Sequence, residues 1–206
     1  MYVPKHFAED RIEILQQTIE DHPLGTLVTQ HSTGLQANHI PFLVAEDPGP
    51  MGALNGHVAR ANTVWKSYEK DLEVLVIFHG PQGYVSPSWY PSKSEHGKVV
   101  PTWNYIVVHV YGRLSVIEDE AWLASHVAKL AEFHEQYQPQ PWSLNDAPDD
   151  YVAKMLKAII GFEIVVTRIE GKWKLSQNRS KQDRKGVIDG LLEEDPDNAL
   201  AKLMSS

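Results

Sequence analysis

The chain has 206 residues, 42% hydrophobic and 22% charged, with 19 basic against 27 acidic side chains and a formal net charge of −8. It contains no cysteine, which excludes disulfides, thiolate chemistry and cysteine-based zinc sites. The acid excess argues against autonomous DNA binding, which needs a basic surface, and no apolar run approaches the ~20 residues of a membrane span.

The opening residues, MYVPKHFAED, lack the charged-then-apolar layout of a secretory leader, so a cytoplasmic location is expected. Residues 8–22 read as a helix, with Ile12, Leu15 and Ile19 on one stripe and Pro23 as its stop. LGTLVTQ (24–30) reads as a strand that pairs through a turn at 32–34 with a second strand, 35–45. A loop rich in Pro and Gly (46–52) precedes a strand over 53–61 and a short helix over 62–70. The most hydrophobic run, 73–80, predicts a central strand, and 84–90 continues it in extended form.

Residues 91–98 read as a polar surface loop, and 99–119 as a long strand system with Val107, His109 and Tyr111 on one face. An amphipathic helix follows over 119–137, then a Pro-rich connector and a helix over 149–160. Residues 161–169 and 172–177 read as a hairpin turning at Glu170-Gly171. The tail from 180 to 204 reads as helical, with Pro196 placed to start its last helix. Antiparallel strands with helices at the ends give an α+β class. The length favours one domain, 1–206, with 180–206 as a helical C-terminal extension.

Four polar constellations carry possible chemistry. GHVARANTVW (56–65) places His57, Arg60, Asn62 and Thr63 at a strand-to-helix junction. An Arg beside exposed helical N–H groups can cradle a phosphate, and the same residues can form an ordinary capped junction. YVSPSWY (84–90) and VPTWNY (100–105) offer Ser86, Trp89, Thr102, Trp103, Asn104 and Tyr105, which suit either a flat ligand or an aromatic core. KLSQNR (174–179) ends with Gln177 and Arg179 in a polar run. Ten histidines show no HExxH or close His-x-His spacing, so no metal site is expected. No nucleophile elbow is present, and no carboxylate stands out as a catalytic acid.

Eight stretches, MYVPKHF, HIPFL, GHVARAN, FHGPQGYVSPSWY, VPTWNY, HVYG, GFEI and KLSQNR, occur in order along nearly the whole chain. Together they resemble the PaiB family, described as FMN-binding negative transcriptional regulators. The family pattern has Pro after GHVARAN; this chain has Thr63, whose hydroxyl can still cap a helix or meet a phosphate. The family is similar to the split-barrel flavoproteins. That resemblance implies a six-stranded antiparallel split β-barrel with peripheral helices, and a homodimer with flavin sites at the interface.

It further implies FMN as cofactor. His57, Arg60, Asn62 and Thr63 would hold its phosphate. Ser86, Trp89, Thr102, Trp103, Asn104 and Tyr105 would line the ribityl chain and ring, and Gln177 and Arg179 would reach in. The function expected is an FMN-binding regulator that acts indirectly or through flavin state. A flavin-dependent oxidoreductase acting on a small molecule is the alternative, and a haem-handling protein a third reading.

Overall fold

The structure is a computed structural model and describes residues 1–45 and 47–205. After a short 3-10 turn (Lys5–Phe7) come β1 (Ala8–Glu9), α1 (Ile12–Asp21), β2 (Leu24–His31), β3 (Gly34–Pro41), β4 (Leu43–Ala45) and β5 (Ala53–Ala59). Then follow α2 (Val64–Ser67), β6 (Val74–Val85), α3 (Ser92–His96), β7 (Thr102–Ile117), α4 (Glu120–Glu135), α5 (Asp149–Lys157), β8 (Ile159–Lys174), α6 (Lys181–Glu194) and α7 (Ala199–Ser205). The sheet runs β3-β2-β6-β7-β8-β5-β4, and the two-residue β1 pairs with β8. The α+β class and split-barrel sheet are as expected. The strand number is not: the path holds seven strands rather than six, with β1 beside it.

Two strand boundaries also differ from the expected ones, in opposite senses. The strand expected over 35–45 breaks after Pro41. Phe42 turns into the core, 1% exposed, with its N–H donated to the Pro23 carbonyl at 2.9 Å. Leu43–Ala45 then pairs with β5 instead of β2. Conversely, the hairpin expected at Glu170-Gly171 does not form, and β8 runs straight through for 16 residues. Gly171 is needed there for close approach. A Cβ at that position would lie 2.3 Å from Leu15 Cδ2 and 2.8 Å from the Glu9 carbonyl, where β1 pairs.

Other departures are smaller. Residues 92–96 form a helix rather than a loop, closed by Gly97 in the left-handed conformation (φ 66°). The helix expected over 62–70 shrinks to the four residues of α2. The last helix starts at Ala199, where Asn198 Oδ1 accepts the Ala201 N–H at 3.1 Å, and not at Pro196.

The described chain divides into two compact units. Unit 1 comprises Met1–Thr18, His79–His109 and Glu170–Ser206. Its core joins Val85, Tyr90, Ile106 and Leu175 to Val187 and Leu191 of α6 and to Leu200, Ala201 and Met204 of α7. Each Val, Leu, Ile or Met among them contributes roughly 1.5–3 kcal/mol by leaving water, so the C-terminal helices are part of the folded core. Unit 2 comprises Ile19–Phe78 and Val110–Ile169. Its core centres on Phe42, whose ring meets Phe78 edge to face at 5.9 Å. Gly25 and Gly56 give that ring room: a Cβ on either would lie within 3.0 Å of it.

Candidate functional site

In unit 2 the alternation along β5 decides where the 56–63 residues go. Gly56 and Val58 face the Phe42 side, and His57 faces α4. There His57 Nδ1 lies 3.1 Å from His126 Nε2, and the His126 ring stacks on Trp122 at 5.1 Å and 14°. Asp119 starts α4 by accepting the Trp122 N–H at 2.8 Å, which sets the register that brings His126 inward. Gly161 on β8 leaves space for Trp122, since a Cβ there would fall 2.5 Å from the indole. Burial holds His57 below the usual imidazole range. Burial, with the charges of His57 and Lys129 added, pushes His126 down to about 4. Both rings are therefore neutral at pH 7, and one donates to the other.

Arg60 is already engaged. Its Nη1 pairs with Glu118 at 2.7 Å, and its Nε and Nη2 donate to the carbonyls of Lys157 (2.9 Å) and Ile159 (3.3 Å). Both members of the ion pair are well exposed, so an incoming anion can compete for the guanidinium at small cost. Asn62 Oδ1 accepts the Val64 N–H at 3.0 Å, and its Nδ2 donates to Asn38 Oδ1 at 2.7 Å. Thr63 is exposed and stands at the cap position of α2, with no cap hydrogen bond from its side chain. The hydroxyl and the start of a single helical turn are what this junction offers an anion. His57 lies apart from it, under α4.

In unit 1 the other expected residues separate into three settings. Asn104 is core: 1% exposed, its Nδ2 donates to Ser176 Oγ at 2.9 Å and contacts Met204 sulfur at 3.6 Å. Ser86 and Trp89 belong to a 3-10 turn, Pro87–Trp89. Ser86 Oγ accepts the Ser88 N–H at 3.2 Å, and the Trp89 indole lies on Gly190 of α6. Thr102, Trp103 and Tyr105 form the third setting with Lys174. Lys174 Nζ donates to Thr102 Oγ1 and to the Trp103 carbonyl. Trp103 is 53% exposed and meets the 48%-exposed Tyr84 edge to face at 6.3 Å. Tyr105 carries the Lys172 ammonium 5.3 Å from its ring centre and lines a cavity of about 300 Å3 with His79, Gln82, Val107 and His109.

Gln177 turns back on its own chain, accepting the Leu175 N–H and donating to the Trp173 carbonyl. Arg179 sits 4.9 Å over the Tyr90 ring. Burial lowers the Lys174 pKa, and the nearby charges of Lys172 and Arg179 lower it further. Three cations thus crowd one aromatic-lined face of an acidic protein. Such a cluster favours an anionic partner.

A family model described as "Putative FMN-binding domain" matches residues 1–168. The chain is also 35% identical to the protease synthase and sporulation protein PAI 2 of Bacillus subtilis, over 99% of this chain and 96% of that one. The chain belongs to the PaiB family.

Solved structures agree on the fold of this PaiB-family chain. The flavocytochrome Anf3 of Azotobacter vinelandii superposes with a TM-score of 0.61 at 14% identity, covering 89% of this chain and 78% of that one. The conserved hypothetical protein Rv2991 of Mycobacterium tuberculosis gives 0.60 at 13% identity, covering 87% and 94%.

Several residues of these candidate sites escape sequence reading. His126 looks like one histidine among ten; its partner, His57, is 69 positions away. Glu118 gives no sign that it pairs with Arg60. Lys172 and Lys174 did carry a signal, since two residues of spacing on a strand puts both on one face.

Proposed function

We propose that this protein binds FMN and serves as a PaiB-type regulator, acting through flavin state or a protein partner rather than by gripping DNA. The observation that carries the reading is the unit 1 face where Trp103, Tyr84 and Tyr105 meet Lys174 and Lys172. Flat apolar surface suits an isoalloxazine ring, and the cation group suits an anionic ligand. Trp103 fits such a ligand as it stands, and Lys174 would offer its third N–H while the other two serve Thr102 and the Trp103 carbonyl. Asn104 does not fit, because its amide is engaged inside the core. When bound, FMN supplies the redox chemistry of its ring; the chain supplies binding and orientation. Within unit 2, and as a separate proposal, Arg60, Asn62 and Thr63 would hold a phosphate, with Arg60 exchanging Glu118 for it.

The exposed Tyr84, Val100 and Trp103, at 48%, 62% and 53%, support a homodimer with its flavin sites at the interface. A cytoplasmic protein is part of the same proposal. The cavity beside Tyr105, lined by two histidines and Gln82, favours a second reading, a flavin-dependent oxidoreductase with a small-molecule substrate. FMN-dependent NADH or NADPH oxidation would select that reading.

Two variants test the binding residues. Trp103→Ala is expected to weaken FMN and riboflavin alike, by roughly fivefold, because it removes ring stacking of about 1 kcal/mol. Arg60→Ala is expected to weaken FMN roughly tenfold or more and leave riboflavin nearly unchanged, since only FMN carries the phosphate. Fluorescence titration reads both. Equal weakening of the two ligands would remove Arg60 from the phosphate role, and unchanged affinities in Trp103→Ala would remove the unit 1 face from the ring.

A further inference from the structure

Unit 2 contains a second cavity that the flavin reading leaves without a role. It measures about 180 Å3 and lies between α4, α5 and the connector that joins them. Its walls are apolar, with Val127, Leu144, Val152, Leu156 and Ile159 among them. Trp142, Tyr151 and Met155 rim it at 43%, 54% and 40% exposure, a local concentration of large apolar side chains left at the surface. The single titratable imidazole in the wall is His57, whose Nδ1 is taken by His126.

We infer that this cavity binds a monocyclic phenol, with the ring in the apolar slot and the hydroxyl on the remaining nitrogen of His57. Three observations lead there. The volume is that of a one-ring molecule: an engineered apolar cavity of about 150 Å3 accepts benzene. The walls are apolar, so His57, which lines the slot, gains from a ligand that brings its own hydrogen-bonding group.

The third observation is the His57–His126 bond. If His57 Nδ1 donates to His126, then His57 Nε2 is an acceptor; if His126 donates, His57 Nε2 is a donor. A phenolic hydroxyl serves either tautomer, because it both donates and accepts. A carboxylate or an ammonium does not suit a neutral imidazole in apolar walls. His126 in turn lines a separate polar cavity of about 460 Å3, together with Asn55, Ser125 and Lys129. Asn55 Oδ1 is buried there without a hydrogen-bond partner among the described residues. The imidazole pair thus connects the hydroxyl position to polar surroundings and can settle into whichever tautomer the ligand needs.

The test uses the whole protein, with p-cresol and toluene as probes, followed by Trp fluorescence and by ligand-observed NMR. Saturable binding of p-cresol, roughly tenfold tighter than toluene, is expected from one added hydrogen bond. Leu156→Trp, which fills the slot, should abolish binding of both probes. His57→Phe should keep toluene binding and erase the preference for p-cresol. No saturable p-cresol binding to the wild-type protein would overturn the inference, as would equal affinity for the two probes. Binding that survives Leu156→Trp in a protein with unchanged circular dichroism would overturn it too. The wild-type comparison needs no variant, so misfolding of either substitution leaves the test intact.

Discussion

Replacing Gly186 by Ala should destabilise the protein by about 2 kcal/mol, although the same change in an ordinary helix interior stabilises by about 1 kcal/mol. Gly186 lies inside α6, where propensity favours Ala. Its position against the Pro87–Trp89 turn decides otherwise. A Cβ there would lie 2.0 Å from the Trp89 carbonyl oxygen and 3.1 Å from Pro91 Cδ. The first neighbour is backbone and cannot rotate away, so the helix and the turn must separate. So close a backbone contact puts the overpacking cost at the upper end of its usual range, roughly 3 kcal/mol, which exceeds the propensity gain. For a chain of this size the melting temperature should fall by roughly 4–8 °C. Thermal unfolding of Gly186→Ala checks the sign. A rise in melting temperature would mean that α6 does not rest on the Trp89 turn.

The second large effect is acid sensitivity centred on His126. Its folded pKa, about 4, lies below the unfolded value of 6.5. The unfolded chain therefore binds the proton first as pH falls. Stability is fully present above pH 6.5 and declines as pH drops through the interval down to about 4. Between pH 7 and pH 5 the loss from His126 alone is about 2 kcal/mol. His57, also lowered by burial, acts in the same direction. The carboxylates of Glu9 and Asp183 are held below their usual range and lose their contribution only at lower pH, so they do not obscure this window. Urea unfolding at pH 7, 6 and 5 measures the slope. His126→Gln, which can still hydrogen-bond to His57 and does not titrate, should remove most of it. A flat profile in the wild-type protein between pH 7 and 5 would show that the histidine pair is not buried as a neutral pair.

Where local pattern and tertiary demand agree, the elements were legible in the sequence. The amphipathic helix after Asp119 begins where its cap lies, and Leu15 and Ile19 of α1 are both 1% exposed, as their spacing implies. Glu170-Gly171 reads as a turn because Gly often is one. Here Gly is present for contact with Leu15 and Glu9, partners that no local window contains. Phe42 ends one strand and starts another because its ring is drawn to Phe78 in the core, again a distant cause.

The candidate site divides in the same way. The types of residue around GHVARAN and PTWNY were legible, and so was the family they belong to. What Arg60 and His57 actually touch was not, since Glu118 and His126 reach them only through the fold. Asn104 stands in a polar motif whose residue types suit ligand contact. Its amide instead ties β7 to Ser176 and α7.

We propose that this chain holds FMN. Equilibrium dialysis of the purified, flavin-stripped protein against FMN tests it most directly, with the bound yellow chromophore read by absorbance. Saturable uptake at micromolar FMN, approaching one flavin per chain, is expected. Failure to take up either FMN or FAD at such concentrations, by protein of unaltered circular dichroism, would contradict it.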